Sequence, residues 1–200
     1  MTEHYFTQSP ESESNEQEFV DTFNGKELRF VYDASVFSKG KIDKGSALLV
    51  QTFIELNSNL SDKIQMLDLG CGYGFVTVAI TSFLDVSMTS SDINQRAVSL
   101  CEKNCRLNSV QSNCIQSDGF NNFDKLFDFI LLNPPIRTGK KKVYSILKES
   151  YNHLNDNGEL WVVIRVKQGA KSMKTYLQSF FSSVDTVAKK GGYHILRCEK

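Results

Sequence analysis

No stretch of this 200-residue sequence approaches the ~18 to 20 apolar residues of a membrane-spanning helix, so no transmembrane segment is expected. Its first 20 residues hold five acids, Glu3, Glu11, Glu13, Glu16 and Glu18, and neither lysine nor arginine. Secretory signals and transit peptides both need early positive charge, so neither is expected and the cytoplasm is the expected compartment. Cysteine is sparse and odd in number, Cys71, Cys101, Cys105, Cys114 and Cys198. Without an export signal these read as reduced thiols. Cys101 and Cys105 stand one helical turn apart, but a zinc site wants a second close ligand pair, and His4, His153 and His194 are scattered. No metal is expected. Net charge is also lacking, with 23 bases against 23 acids. Those charges are unevenly placed: residues 137–174 carry nine bases and three acids. One face could therefore meet a polyanion, or simply be solvated.

A size of 200 residues suits one domain with a sizeable core. Residues 7–18, "TQSPESESNEQE", contain no apolar side chain and read as a mobile or surface-lying arm. Residues 26–33 alternate as a strand, 38–46 form a Gly/Lys-rich loop, and Ser46 can cap a helix through about Asn57. Strands are then expected at 64–70, 86–93, 113–118, 127–133 and 158–166, with helices at 75–84, 95–108, 143–154 and 171–181. Residues 184–198 read as two strands about a Lys-Gly-Gly turn. Strands separated by helices imply right-handed crossovers. The expected class is α/β: a Rossmann-like, seven-stranded, mostly parallel sheet with a C-terminal antiparallel hairpin and helices on both faces. Ligands of such sheets lie beyond the carboxyl ends of the strands.

The first strand of the repeat ends "LDLGCGYGF". Gly70, Gly72 and Gly74 allow a tight turn and close approach of a ligand to backbone, and the amides of the next helix would face that ligand. The spacing is G-x-G-x-G rather than the dinucleotide fingerprint. Asp92 ends the next strand, where a carboxylate can accept both hydroxyls of a ribose, or cap the following helix, a job Asn94 could also do. Asp118 ends the third strand, placed to accept an exocyclic adenine amine, with Phe120 against the ring. The structural alternative is a turn aspartate and a core phenylalanine. These three strand ends resemble the class I S-adenosylmethionine-dependent methyltransferases from about residue 46 onward. The resemblance implies that Asp68, Gly70, Cys71, Gly72 and Gly74 line the methionine end of the cofactor. It also implies Asp92, with Asn94, at the ribose, Asp118 with Phe120 at the adenine, and Asn133 beside the cofactor. A nicotinamide-binding Rossmann domain is the rival, disfavoured by the glycine spacing and by the fourth strand end.

That fourth strand end reads "FDFILLNPPIRTGK". Two of the chain's three prolines, Pro134 and Pro135, stand together here. Proline fixes φ and lacks an N–H, so the chain cannot run straight into a helix. The Pro134 carbonyl could then project into the cleft as a free acceptor beside the Asn133 side-chain oxygen. Two acceptors suit a substrate –NH2, whose delocalised lone pair can be turned toward an electrophile by gripping both hydrogens. "NPPI" is similar to the N-P-P-aromatic motif of amino-group methyltransferases, with Ile136 departing from the aromatic position; Tyr5, Phe6 and Phe37 are candidates to replace it.

With "HYF" (4–6), "VFSKGKIDKGSALL" (36–49) and "VIRVKQGA" (163–170), the chain resembles the methyltransferase small-domain family, which includes small-subunit ribosomal RNA guanine-N2-methyltransferases. The resemblance implies an arm and substrate-side extension at 1–45 and a catalytic domain at 46–200. It places Phe37, Lys39, Asp43 and Gly45 at the cofactor and substrate mouth. Asn133, Pro134, Pro135 and Ile136 would be the catalytic tetrapeptide. Arg137, Lys140, Lys141 and Lys142 would meet the phosphates flanking an extruded base, and Lys167, Lys171 and Lys174 could extend that surface. The expected partner is RNA, docked by this domain alone or by a homodimer. Alternatives are protein glutamine N5-methylation, DNA adenine methylation, and a non-catalytic cofactor-binding RNA assembly factor.

Overall fold

A computed structural model describes residues 15–33, 40–61 and 63–200; Tyr5, Phe6, Phe37 and Lys39 lie outside the described residues. Strands β1 (Glu16–Phe23) and β2 (Lys26–Asp33) pair antiparallel as a separate hairpin. Helix α1 (Lys44–Leu56) follows. The chain then alternates β3 (Gln65–Leu69), α2 (Phe75–Phe83), β4 (Ser87–Asp92), α3 (Gln95–Leu107), β5 (Asn113–Gln116) and β6 (Phe127–Leu132). It continues through α4 (Lys140–Asn152), β7 (Leu154–Arg165), α5 (Ala170–Leu177), β8 (Ser183–Lys190) and β9 (Tyr193–Glu199). The large sheet has seven strands in the order β5-β4-β3-β6-β7-β9-β8. Its first five strands run parallel, while β9 is antiparallel to both neighbours. The expected α/β fold, with its C-terminal hairpin, is the observed one. No helix among the described residues is long and apolar enough to cross a membrane.

Period-two alternation splits the central strands between two cores. Met66, Leu131, Trp161, Val163 and Ile195 face α1, α2, α3 and the hairpin. Leu67, Ile130, Leu132, Val162 and Leu196 face α4 and α5. Both faces of β3, β6 and β7 are therefore covered, which explains their nearly unbroken apolar sequences.

Several expectations need correction. The polar arm read over 7–18 overlaps β1. Asn24 and Gly25 adopt φ of 47° and 80°, the two left-handed positions of a tight hairpin turn. Phe19 stacks on Phe30 with centroids 5.3 Å apart, and Phe23 packs edge-on against Phe75 at 5.4 Å, so the Glu/Gln-rich strand buries one aromatic face. Helix α1 is capped by Asp43 rather than Ser46: the Asp43 carboxylate accepts the Gly45 and Ser46 N–H groups, both at 2.9 Å. Helix α4 begins at Lys140, three residues earlier than the apolar period suggested, because Lys140–Lys142 form its first turn. Helix α5 ends at Leu177, earlier than read, and β7 starts at Leu154 rather than 158.

The free edge of β2 is covered by two asparagines one turn apart, Asn104 on α3 and Asn108 at its C-terminal cap. Asn104 accepts the Val31 N–H at 2.7 Å and donates to Val31 O at 2.8 Å; Asn108 does the same for Arg29 at 3.0 and 2.7 Å. Asn104 also donates to Tyr73 O at 2.7 Å, tying the hairpin to the glycine turn. Those amides stand in for a missing strand. Asn104→Ala should strand buried backbone groups and lower unfolding free energy by about 1 to 3 kcal/mol, read by urea denaturation. A change within about 0.5 kcal/mol, typical of an exposed site, would remove Asn104 from that role.

Candidate active site

Five parallel strand ends open onto one cavity of about 620 Å³, on the side where ligands of open α/β sheets bind. β3 delivers Asp68 and then the glycine turn. Gly70, Gly72 and Gly74 have φ of 77°, 55° and 90°, a region costly for L side chains. The Gly70 and Cys71 N–H groups both donate to Ser91 O, at 2.7 and 2.8 Å, which fastens the turn to the end of β4. Nothing lies within 4 Å of the place where a Cβ on Gly70 would stand, so the cavity reaches the bare backbone there. Gly74 is different. It is the left-handed cap of α2, its Cβ position lies 2.7 Å from Cys101 Sγ, and it is not on the cavity wall.

Asp92 is buried, yet lines the cavity. Its Oδ2 accepts the Gly72 N–H at 3.0 Å and its Oδ1 accepts the Asn94 N–H at 2.9 Å. A carboxylate oxygen can accept more than one hydrogen bond, so these amides do not exhaust it. The helix cap is Asn94, whose Oδ1 accepts the Arg96 N–H at 2.9 Å. Asn94 is fully buried and off the cavity wall, whereas the resemblance implied that it meets the cofactor. Asp118 is on the wall and paired with Lys142 Nζ at 2.7 Å. Phe120 is not: it is buried in the α4–α5 core and stacks on His153 with centroids 4.2 Å apart. An apolar ring just past the strand end was drawn into the core instead of the cleft.

The end of β6 supplies Asn133. Its amide nitrogen donates to Ser46 Oγ at 3.0 Å and Asp43 Oδ1 at 3.3 Å, in the first turn and at the cap of α1. With its donor end so engaged, the amide presents Oδ1 as its acceptor. The Pro134 carbonyl is not wholly free, as expected from the sequence, but accepts the Ile136 N–H at 2.8 Å. Pro135, at φ −75° and ψ 72°, closes this inverse γ-turn, leaving the carbonyl one lone pair for a ligand. Pro135 accepts twice from Thr138, through N–H at 2.9 Å and Oγ1 at 2.7 Å. A single-turn helix follows at once over Ile136–Thr138. Ile136 packs against the α4–α5 core.

Among the wall residues that escaped the sequence reading are Tyr193 and Arg165. Tyr193 opens β9 and Arg165 closes β7. The Arg165 guanidinium lies 4.8 Å from the Tyr193 ring centroid and its Nε donates to Tyr193 Oη at 2.8 Å. Gly45 makes room for this ring, since a Cβ there would sit 2.8 Å from Tyr193 Cε1. Because β9 runs antiparallel, its first residue, not its last, reaches the cavity.

At the rim, Arg137 and Lys142 line the opening, while Lys140 and Lys141 stand outside it. Lys140–Lys142 occupy the first turn of α4, which contains no acid and has no side-chain cap. Cations at the positive end of a helix each cost about 0.3–1 kcal/mol. Asp118 offsets part of this cost through its ion pair with Lys142 at 2.7 Å.

A family model described as the methyltransferase small domain matches residues 27–197. The chain belongs to this family. Over its whole length it is 41% identical to the whole of an uncharacterized protein of Bacillus subtilis, YbxB. It is 28% identical to ribosomal RNA small subunit methyltransferase C of Actinobacillus pleuropneumoniae, matching 90% of this chain and 54% of that one. A solved Thermus thermophilus 16S rRNA N2 G1207 methyltransferase, in complex with AdoMet and guanosine, superposes with a TM-score of 0.84. It is 25% identical, covering 96% of this chain and 52% of that one. The chain thus spans about half the length of the ribosomal RNA methyltransferases it matches.

Asp68 is buried at the cavity floor, and burial pushes its carboxyl up to about 7, against the pull of Thr77 N–H at 3.2 Å and Thr77 Oγ1 at 2.7 Å. The folded protein therefore holds this proton across an interval where the unfolded chain, near 3.8, has released it. The stabilising contribution is complete below the unfolded value and disappears as pH rises through the folded one. Between about pH 4 and 7, wild-type unfolding free energy should fall relative to that of Asp68→Asn, measured by urea titration at stepped pH. Parallel curves for the two proteins would place Asp68 outside this titration.

Proposed function

We propose that this chain transfers a methyl group from S-adenosylmethionine to an exocyclic amino group of RNA, namely guanine N2 of ribosomal RNA. The reading rests on one juxtaposition. The Asn133 amide, its donor end held by Asp43 and Ser46, and the left-handed glycine turn bound by Asp92 line the same cavity. The solved relative that resembles this chain over nearly its full length holds AdoMet and guanosine together.

The residues fit the cofactor of the family. Gly70 leaves open backbone where a side chain would intrude. The Ser91 hydroxyl on the wall is buried and has no hydrogen-bond partner among the described residues, a position a polar ligand would satisfy. Asp68 would face the methionine end, where a ligand ammonium favours its ionised form. Asp92 would take the ribose hydroxyls, and Asp118 the adenine side. S-adenosylmethionine supplies an electrophilic methyl group on a positively charged sulfur.

Asn133 Oδ1 and the remaining lone pair of Pro134 O would accept the two hydrogens of the target amine. That grip turns the nitrogen lone pair toward the glycine-turn side of the cavity. Because the acceptors are fixed before the substrate arrives, their contribution is orientation and electrostatics, with no strong base needed. Tyr193, backed by Arg165, would provide the flat surface for the base that Ile136 cannot, a contact worth about 1 to 3 kcal/mol. Arg137 and the first turn of α4 would receive flanking phosphates.

Asn133→Ala should leave S-adenosylmethionine affinity within about threefold and lower methyl transfer by at least about 100-fold, the scale of losing a preorganised polar group. Equal loss of both would contradict the assignment. Asp92→Ala should weaken cofactor binding in calorimetry while leaving RNA binding unchanged. Mass spectrometry of ribosomal RNA nucleosides from cells with and without the gene tests the target: N2-methylguanosine should fall when the gene is absent. Replacing Lys140, Lys141 and Lys142 by Glu should reduce the slope of log affinity for RNA against log salt by roughly 0.7 to 0.9 for each phosphate that is no longer neutralised. An unchanged slope would return these lysines to a solvated face.

A further inference from the structure

Folding brings together thiols that the sequence keeps apart. Cys101 and Cys105 are neighbours on α3, and β5, at the sheet edge, carries Cys114 up against them. The three sulfurs all lie within 4.8 Å of one another, with Cys101 and Cys114 at 3.7 Å. Among the described residues this is the one group of three or more potential metal ligands drawn so close. A fourth thiol, Cys71 of the glycine turn, stands on the Cys101 side of the group and donates to Gly72 O at 3.7 Å.

We infer that Cys101, Cys105 and Cys114 form a binding site for a soft, thiophilic divalent cation of the zinc class. Zinc–sulfur bonds of about 2.3 Å set sulfurs about 3.8 Å apart around a tetrahedral ion, and about 4.0 Å apart around a trigonal one. The Cys101–Cys114 separation of 3.7 Å already matches, and the others need close by no more than about 1 Å. No oxygen ligand belongs to the group, so the donor set selects soft cations over magnesium or calcium. Cys101 and Cys105 are buried, whereas Cys114 is half-buried and gives the ion its way in. Cys71 is next in reach for a fourth position. Binding would displace one proton from each ligating thiol, so affinity rises with pH.

The site stands directly beneath the turn. A Cβ on Gly74 would meet Cys101 Sγ at 2.7 Å and Cys101 Cα at 3.0 Å. An ion fixed on Cys101 would therefore clamp α3 and β5 together under the wall of the cavity, and stabilise the folded chain by mass action.

The experiment uses the full chain, reduced and freed of metal by a chelator, and titrates it with Cd2+ while following the ultraviolet thiolate-to-metal charge-transfer absorption. Zn2+ is then added as competitor. One Cd2+ per chain, displaced by Zn2+, with a higher melting temperature for the loaded protein, is expected. Cys105→Ser and Cys114→Ser, on the rim of the group, should each lower Cd2+ affinity by at least roughly 10- to 100-fold, what even an outer-sphere loss costs. Cys198→Ser, which alters a thiol in the opposite core, should not change it. Circular dichroism of each variant separates lost binding from lost folding. Absence of the absorption in the wild type, or its persistence at unchanged affinity in both folded rim variants, would overturn the inference.

Discussion

One carboxylate oxygen organises the Asn133 side of the cavity. Asp43 Oδ1 receives the N–H groups of Gly45 and Ser46 at 2.9 Å, and the Asn133 amide at 3.3 Å. The first two bonds start α1; the third fixes which way the amide at the end of β6 points. A helix cap usually satisfies only its own helix. Here it also sets the acceptor geometry of a residue 90 positions away, so the rigidity of α1, packed through Leu49, Val50 and Phe53 into the core, is passed to the cleft. The pincer is preorganised by secondary structure rather than by ligand.

The glycine-turn side of the cavity is built in the same way. The Ser91 carbonyl holds two amides of the turn, and Asp92 holds a third. Beneath them, Thr77 joins Asp68 to Ser90 at 2.6 Å, and Ser90 joins Ser112 at 2.7 Å. These polar groups lie between apolar layers, and their mutual bonds offset the cost of burying them. The turn is therefore held from the strand beside it and from the helix after it.

Most of this architecture was legible in the chain. Strand–helix alternation located every parallel strand of the large sheet, and the strand-end rule pointed to Gly70, Asp92, Asp118 and Asn133, all of which meet in one cavity. What was missed has physical causes. The β1–β2 hairpin hid behind glutamates, although Asn24-Gly25 is a strong turn signal. Phe120 went to the core because burial outweighs adjacency to a site. Tyr193 was overlooked because inspecting carboxyl ends of strands suits parallel ones only. The thiol group was discounted for want of a second close ligand pair, because the third sulfur arrives through tertiary packing of β5 on α3, not through spacing.

The reversed strand β9 has a further consequence. It lies between β7 and β8, and β8 pairs with no other strand among the described residues. The edge of the sheet and the Tyr193 wall are thus completed in one event, when the last of these strands to leave the ribosome slots into place. A nascent chain stopped short of residue 193 would own the glycine turn and Asn133 yet have an unfinished bowl around them.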